Sequence, residues 1–398
     1  MMKKIELLSP AGDLERLKVT LLYGADACYI GGKKYSLRAN ATNFSLEEIK
    51  EATMFARKLG KRIYLTLNIV FHNEDYTEVL AYISDVVNAG IDAFIVSDLY
   101  LVKLIKENYP VEVHLSTQNS TFNYEAALFY KELGVDRIVL ARELSKIEIK
   151  EIIDKTNIDI EVFIHGAMCS CISGRCMLSN YVTKRDANRG GCAQVCRFSF
   201  ETGNNDVFTM APKDLNMALY IKDLIDIGVI SLKVEGRMRS LYYLATVISS
   251  YRKIIDGIIN KTITKELLEN ESKILNRVSN REVSSHFFTK YADFTDQYYT
   301  GRSEVSNQDY LGVITGYDKK NKCLILKERN YFKCGDKVEI FTPNLKRYKY
   351  TIDKIYDEDM NELEVARHPE QVLKLKFEEE LEEYSMIRLE EKDELRKV

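Results

Sequence analysis

Short apolar segments alternate with amphipathic segments along the first 240 or so residues, and this alternation constrains the fold more than any other feature of the chain. The apolar segments of strand length lie at 4–8, 27–31, 62–67, 92–97, 111–115, 136–141, 160–165 and 229–234. Strands that alternate with helices predict an α/β fold with a parallel sheet. Eight strands in about 235 residues match a (β/α)8 TIM-like barrel. A doubly wound open sheet is the alternative, although no GxGxxG turn follows any of the strands.

One connection in this pattern is too long for an ordinary barrel loop. About fifty residues separate the strand at 160–165 from the next helical segment, whereas such loops usually have 2–6 residues. The segment follows a strand, so it belongs to the face where barrel enzymes carry their active sites. We therefore predict a functional insertion at about 166–213.

The pattern changes twice after the barrel. We predict a barrel domain at 1–240, a helical segment at 241–300 and a small all-β domain, a barrel or a sandwich, at 308–398. The whole chain has a net charge of −3, but the β domain is asymmetric. Residues 313–354 hold 11 Lys and Arg against 5 Asp and Glu, and residues 355–398 hold 7 against 15.

Five of the eight cysteines lie in the predicted insertion. Four have the spacing Cys169-x6-Cys176-x15-Cys192-x3-Cys196, and Cys171 is additional. Four thiolates within so short a segment can converge on one metal centre, and both zinc and iron–sulfur clusters accept four cysteines. Only the second pair has the tight spacing that structural zinc sites prefer. We favour an iron–sulfur cluster, with zinc and free redox-active thiols as alternatives.

The same segment resembles a known family. The pattern from Glu161 to Ser179, EVFIHGAMCSCISGRCMLS, is similar to the signature of the collagenase-like peptidase family U32, and NYVTKRDANRGGCAQVCR is similar to its tRNA-hydroxylating branch. LLSPAGDLERLK, LSTQNS, APKDLNM and LKVEGRMRS extend the resemblance over most of the chain.

The resemblance implies a specific chemistry. It implies an oxygen-independent hydroxylase that forms 5-hydroxyuridine at the tRNA wobble position, uses prephenate as co-substrate and works with an optional partner of the same family. It also implies a 4Fe-4S cluster on Cys169, Cys176, Cys192 and Cys196. Cys171 has no counterpart in the pattern, and we treat it as a non-ligand.

Polar residues recur where the predicted strands end. They are Arg38, Asn43, Asn68, Ser116, Thr117, Gln118, Arg142, Glu143, His165, Glu235 and Arg237. In a barrel these ends share one mouth. We expect Arg38, Arg142 and Arg237, with Asn68, Thr117 and Gln118, to bind the dicarboxylate, because guanidinium groups pair well with carboxylates. His165 and Glu235 are the candidate catalytic residues.

Two basic segments are candidates for RNA contact. Lys184, Arg185 and Arg189 lie in the insertion. Lys346, Arg347 and Lys349 alternate with Tyr348 and Tyr350 in the β domain, where the tyrosines could stack on unpaired bases. The alternative is an edge strand with protective charges and core-facing tyrosines.

Two other functions stay open at this point. A collagenase-like peptidase is the first, although the chain has neither HExxH nor GxSxG, and His165 with Cys169 is its only local Cys–His pairing. A noncatalytic, zinc-stabilised RNA-binding protein is the second. No stretch approaches the roughly 18 apolar residues of a membrane span, and no signal peptide is recognisable. We therefore expect a cytoplasmic protein.

Overall fold

The computed structural model describes residues 4–38, 42–204, 206–279, 281–298 and 309–390. Their contacts divide the chain into two compact units, with the division between residues 304 and 305 and residues 22–24 grouped with the second unit. Within the described ranges, no helix is long and apolar enough to cross a membrane.

The first unit is built on a closed ring of parallel strands. These are β1 (Glu6–Pro10), β2 (Ala27–Gly31), β3 (Arg62–Leu67), β4 (Ala93–Val96), β5 (Glu112–Leu115), β6 (Arg137–Val139), β7 (Asp159–Gly166) and β8 (Ser231–Val234). Each strand pairs with the next one along the chain, and β8 pairs with both β7 and β1. The ring is therefore closed, which confirms the (β/α)8 barrel and excludes the open sheet.

Helices follow the strands in the predicted alternation. They are α1 (Leu14–Leu22), α2 (Leu46–Lys58), α3 (Tyr76–Asn88), α4 (Leu99–Asn108), α5 (Tyr124–Glu132), α6 (Lys146–Thr156), α7 (Leu178–Thr183), α8 (Ile221–Asp226), α9 (Leu241–Ile259) and α10 (Lys265–Val278). Ser45 and Ser145 cap α2 and α6, each in a capping box with the glutamate three residues later. The long helix α9 is largely buried and packs against β1.

A buried ion network fills part of the barrel interior. Lys233 Nζ lies 2.7 Å from Glu161 Oε1, and Arg137 Nη1 lies 3.1 Å from Glu161 Oε2. The Ser231 hydroxyl donates to the same carboxylate at 2.9 Å. Burial opposes ionisation of Glu161, but Lys233 and Arg137 outweigh it and lower its pKa to about 2. The carboxylate is therefore ionised inside the barrel.

The insertion leaves β7 and returns to it. Leu215 pairs with Gly166, and Asn216 pairs with His165, in a short antiparallel strand, Asp214–Asn216. This strand ends the insertion before the next helical segment begins. The Asn216 side chain accepts from the backbone N–H of Ala218 and starts the helical turn that leads into α8.

The second unit is an antiparallel sheet, which confirms the C-terminal β-rich domain. Its strands are β9 (Tyr310–Asp318), β10 (Cys323–Glu328), β11 (Lys337–Phe341), β12 (Arg347–Thr351), β13 (Ile355–Tyr356), β14 (Glu362–Leu363), β15 (Val372–Lys376) and β16 (Met386–Leu389). The order across the sheet is β12-β11-β16-β9-β10-β15-β13-β14, so β12 is an edge strand. Alternate residues supply a core around Leu311, Leu326 and Ile340.

Candidate active site

A cavity of about 140 Å³ lies at the mouth of the barrel. The carboxyl ends of β2 to β8 and the insertion supply its walls. The predicted residues that line it are Arg38, Asn68, Ser116, Thr117, Gln118, Arg142, Glu143, Glu235, Arg237, Cys169, Cys176, Cys192 and Cys196, together with Cys171. The structure therefore brings the cysteines and most of the strand-end polar residues to one place.

A glycine sets the exit of the insertion from β7. Gly166 has φ +109°, and a Cβ at this position would lie 2.4 Å from the backbone oxygen of Glu235. Only glycine combines this left-handed conformation with so close an approach. The exit therefore turns directly over the end of β8 and brings Cys169 to the mouth.

Asn188 fixes the backbone at Cys176. Its Oδ1 accepts from the Cys176 N–H at 3.1 Å, and its Nδ2 donates to the Cys176 carbonyl at 3.0 Å. Its own carbonyl accepts from the N–H of Val70, in the loop after β3. This contact ties the middle of the insertion to the barrel, and the cysteine spacing alone does not reveal it.

Two of the cysteine sulfurs already accept backbone hydrogen bonds. The Leu178 N–H donates to Cys176 Sγ at 3.3 Å, and the Gln194 N–H donates to Cys192 Sγ at 3.4 Å. Amide donors to sulfur favour the thiolate form and tune the cysteine ligands of iron–sulfur clusters. The donor set and its amide contacts thus fit a cluster bound by thiolates.

The cysteines share the cavity without forming a compact single-ion site. Across the described parts of the chain, no group of three or more His, Cys, Asp or Glu side chains is positioned to hold a metal ion. Four thiolates around one zinc ion lie about 3.8 Å apart, as follows from Zn–S bonds of about 2.3 Å in a tetrahedron. A four-iron cluster is larger than one ion and spaces its ligands more widely.

Arg142 and Arg38 form a cationic side of the cavity with Glu235. Arg142 Nη1 donates to the Ala167 carbonyl at 2.6 Å, and its guanidinium lies 3.7 Å from the ring centre of Phe163. Arg38 Nη2 lies 3.5 Å from Glu235 Oε1. Burial opposes ionisation of Glu235, but the nearby arginines, Arg38 first, outweigh it and lower its pKa. Arg142 is thus held in place while most of its five N–H donors stay available for an anion.

Arg237 forms hydrogen bonds with other side chains of the protein, so binding an anion is not its only role. Its Nη1 donates to the Ser36 hydroxyl at 2.8 Å, and its Nη2 donates to Asn43 Oδ1 at 2.5 Å. Burial lowers its pKa to about 10. The side chain therefore braces the loop after β2 while it lines the cavity. Asn68 and Thr117 are held similarly, by Leu37 N–H and by the Leu140 carbonyl.

The expectation that His165 faces the mouth is wrong. A bulge between Lys233 and Val234 shifts the register of β7 against β8, so that Phe163 pairs with Lys233 and His165 pairs with Val234. His165 then points outward, and its Nδ1 lies 3.1 Å from the Tyr251 hydroxyl of α9. Burial, and secondarily a nearby arginine, lowers its pKa to about 3. It does not form a pair with Cys169.

The candidate RNA-contacting residues of the insertion differ in their exposure and in their ion pairs. Lys184 and Arg185 are exposed at the end of α7. Arg189 instead forms a two-point ion pair with Asp75, at 2.6 and 3.0 Å, and holds the insertion to the loop after β3.

The tyrosines of β12 face the core of the second unit. The rings of Tyr348 and Tyr350 each lie 5.7 Å from that of Phe377, in edge-on geometry. The Tyr348 hydroxyl donates to Glu379 at 3.1 Å. Lys346 is exposed and Arg347 is half-buried, while Lys349 pairs with Glu390. This arrangement is the edge-strand alternative, and it leaves the lysines, not the tyrosines, for contact with RNA.

Comparison with known proteins gives a consistent family assignment. The model of "Peptidase family U32" matches residues 12–298, and that of "Peptidase family U32 C-terminal domain" matches residues 306–388. The chain is 44% identical to "tRNA hydroxylation protein P1" of Bacillus subtilis, over 97% of this chain and 95% of that protein. It is 33% identical to "tRNA hydroxylation protein P" of Escherichia coli, over 86% and 87%.

A relative with a different name is also similar. The chain is 35% identical to a protein named "Collagenase" from Porphyromonas gingivalis, over 75% of this chain and 74% of that protein. Similarity to this chain therefore extends to proteins named for peptide cleavage as well as to proteins named for RNA modification.

Proposed function

The chain belongs to peptidase family U32, and from this premise we propose that it is an iron–sulfur-dependent, oxygen-independent tRNA hydroxylase that forms 5-hydroxyuridine at the wobble position. The relatives named for tRNA hydroxylation, which match the chain nearly end to end, carry the proposal. These relatives directly support a role in tRNA hydroxylation, whereas the cluster, the product and the position in the tRNA belong to the proposal. A tRNA substrate would place the protein in the cytoplasm.

Cys169, Cys176, Cys192 and Cys196 are the proposed cluster ligands. A 4Fe-4S cluster on these thiolates would supply electron transfer at the barrel mouth. The amide contacts to the sulfurs of Cys176 and Cys192 support this proposal, because backbone amides that donate to sulfur are a usual feature of cysteine-ligated clusters. Asn188 and Gly166 keep the ligand-bearing backbone over the cavity.

Arg142 and Arg38 are the proposed binding groups for the dicarboxylate co-substrate, prephenate. Both line the cavity, and Glu235 lies beside Arg38. A carboxylate that approaches Arg38 competes with Glu235, which lies 3.5 Å away, whereas the direct contacts of Arg142 among the described residues are with the neutral Ala167 carbonyl, the Met168 sulfur and the Phe163 ring. Arg142 is therefore the main anchor in this proposal.

An unpaired nucleotide is the proposed form of the RNA substrate at the cavity. Enzymes that modify a base in RNA or DNA take it out of the stack and read it in a pocket. Lys184 and Arg185, exposed on the insertion, are the proposed phosphate contacts near the mouth.

The peptidase alternative requires a nucleophile and a base in contact. His165 is buried against α9 and hydrogen-bonded to Tyr251, so it cannot activate Cys169 in this arrangement. The relative named "Collagenase" is the observation that keeps peptide cleavage as the second candidate.

The test combines metal analysis with analysis of cellular tRNA. Protein purified without oxygen should be brown, with about four iron and four sulfide per chain, as the composition of a 4Fe-4S cluster requires. Cys176→Ala and Cys192→Ala should lose the iron, whereas Cys334→Ala, in the second unit, should keep it. Expression in a bacterium that lacks its own tRNA hydroxylases should restore 5-hydroxyuridine to hydrolysed tRNA. Full iron in both ligand variants, or no 5-hydroxyuridine with the cluster loaded, would overturn the proposal.

A further inference from the structure

Glu143 is a half-buried residue in the wall of the cavity. Its Oε1 accepts the backbone N–H of Ser173 at 2.8 Å. Its Oε2 is buried and has no hydrogen-bond partner among the described residues. An unpaired buried carboxylate oxygen is costly unless a ligand or a water donates to it. One oxygen of Glu143 therefore accepts a hydrogen bond from the insertion, and the other has no donor among the described residues.

Gln118 lies beside the same short turn. A Cβ added to Gly174 would lie 3.3 Å from the Gln118 amide nitrogen, so this amide packs closely on the residue after Ser173. Both side chains line the cavity with the cysteines. Ser173 and Gly174 have φ of +51° and +73°, which makes the turn tight and holds it against both side chains. Glu143 and Gln118 thus place an acceptor and a donor against the same turn, in the wall of the same cavity.

This pair suits a different ligand from the arginines. A carboxylate repels a dicarboxylate, so Glu143 does not belong to a site for such an anion. It suits a neutral group with an N–H next to a carbonyl. Uracil has this arrangement on its Watson–Crick edge, where N3–H lies between two carbonyl oxygens.

We infer that Glu143 and Gln118 read the Watson–Crick edge of the uracil ring that is to be hydroxylated. Glu143 Oε2 accepts from N3–H, and the Gln118 amide donates to O4. The inference rests on the proposed function and adds its specificity-determining residues. Cytosine has an acceptor at N3 and an amino donor at N4, so the same pair rejects it at both positions.

The hydrogen bond from Ser173 fixes one oxygen of Glu143, and this allows an experiment in which the acceptor and the donor are exchanged. In Glu143→Gln, the Ser173 N–H still requires an oxygen at the first position, so the new amide NH2 takes the position of Oε2. The variant therefore replaces the acceptor by a donor without removing the support of the turn. Gln118→Glu makes the opposite change, and the double variant matches cytosine at both positions.

Binding of anticodon stem-loops to the cluster-loaded protein provides the measurement. The target position carries uridine, 3-methyluridine or cytidine, and fluorescence anisotropy gives the three dissociation constants. The wild-type protein should bind uridine about tenfold or more tightly than either alternative, since a hydrogen bond to a charged group is lost. The double variant should prefer cytidine, and Glu132→Gln, an exposed change on α5, should behave as the wild type.

The outcomes separate this inference from the proposed function. Equal binding of uridine and 3-methyluridine by the wild type would overturn the inference, and this comparison needs no variant to fold. A cluster-loaded double variant that still prefers uridine would also overturn it, since Glu143 would then only support the turn. Wild-type protein that discriminates at N3 but yields no 5-hydroxyuridine in cells would sustain the inference and reject the proposed reaction.

Discussion

Cys171 is the residue whose role the spacing leaves most open. It lines the cavity, and its thiol lies within hydrogen-bonding reach of Cys176. Two cysteines so close in sequence and in space compete for one ligand position. The family pattern places the ligand at Cys176 and has no counterpart for Cys171.

We predict that Cys171→Ser keeps the cluster. The hydroxyl preserves the size of the side chain and a weak hydrogen bond to Cys176, so iron content and the visible spectrum should match those of the wild type. The measurement is iron per chain after anaerobic purification. Cys176→Ala, which should lose its iron, is the comparison. Cluster loss in Cys171→Ser alone would show that Cys171, and not one of the four proposed residues, is a ligand.

A substitution at Gly166 tests how the backbone of the insertion leaves the end of β7. An alanine Cβ would lie 2.4 Å from the Glu235 backbone oxygen, in a conformation with φ +109° that disfavours side chains. We expect Gly166→Ala to lower the free energy of unfolding by about 2 kcal/mol or more. Chemical denaturation of the protein measures the change. Gly203→Ala is the matched control in the same insertion, because nothing lies within 4 Å of its added Cβ.

At the scale of the elements, the barrel strands and the place of the insertion could be predicted, but the contacts that hold the insertion could not. Strands such as β2 and β3 are short, largely apolar segments, and the structure places them at 27–31 and 62–67, as expected. The register of β7 was beyond such reasoning, since a bulge opposite Lys233 decides where His165 points. The sequence pattern also contains no signal for the contact between Asn188 and Cys176, which are twelve residues apart.

The strands also supply a pH-dependent stabilising group, Glu161. Its pKa is lowered to about 2 from an ordinary value of 4.5. The ionised carboxylate therefore stabilises the fold fully above about pH 4.5, and this contribution is lost as the pH falls towards 2. Glu161→Gln should abolish this part of the acid sensitivity and leave Lys233 and Arg137 without their buried partner.

We predict that Glu161→Gln costs about 3–5 kcal/mol of unfolding free energy at neutral pH, the usual cost of breaking a buried ion pair. The difference from the wild type should narrow between pH 4.5 and pH 2. Urea unfolding at a series of pH values measures both effects. A constant difference across this range would show that Glu161 is not ionised in the folded protein.

At the scale of the whole molecule, charge is distributed unevenly along the second unit. The basic residues of 313–354 include Arg347 and Lys349 on the edge strand β12 and Lys346 directly before it, and the acidic residues concentrate after 355. Because Tyr348 and Tyr350 pack on Phe377, base stacking by these rings is not expected. Any contact of this strand with tRNA would then be electrostatic, with phosphates.

We therefore predict different outcomes for the charges and for the rings of β12. Replacing Lys346, Arg347 and Lys349 together by Glu should weaken tRNA binding strongly at low salt and flatten the dependence of log Kd on log salt, by roughly 0.7–0.9 for each phosphate that the protein no longer neutralises. Tyr348→Phe should leave both unchanged, because it removes only the bond to Glu379. Lys184 and Arg185, replaced by Glu, supply the comparison in the first unit. Unchanged affinity and salt slope in the triple variant, with its iron retained and its fold intact, would assign the second unit a supporting role and leave tRNA binding to the barrel unit.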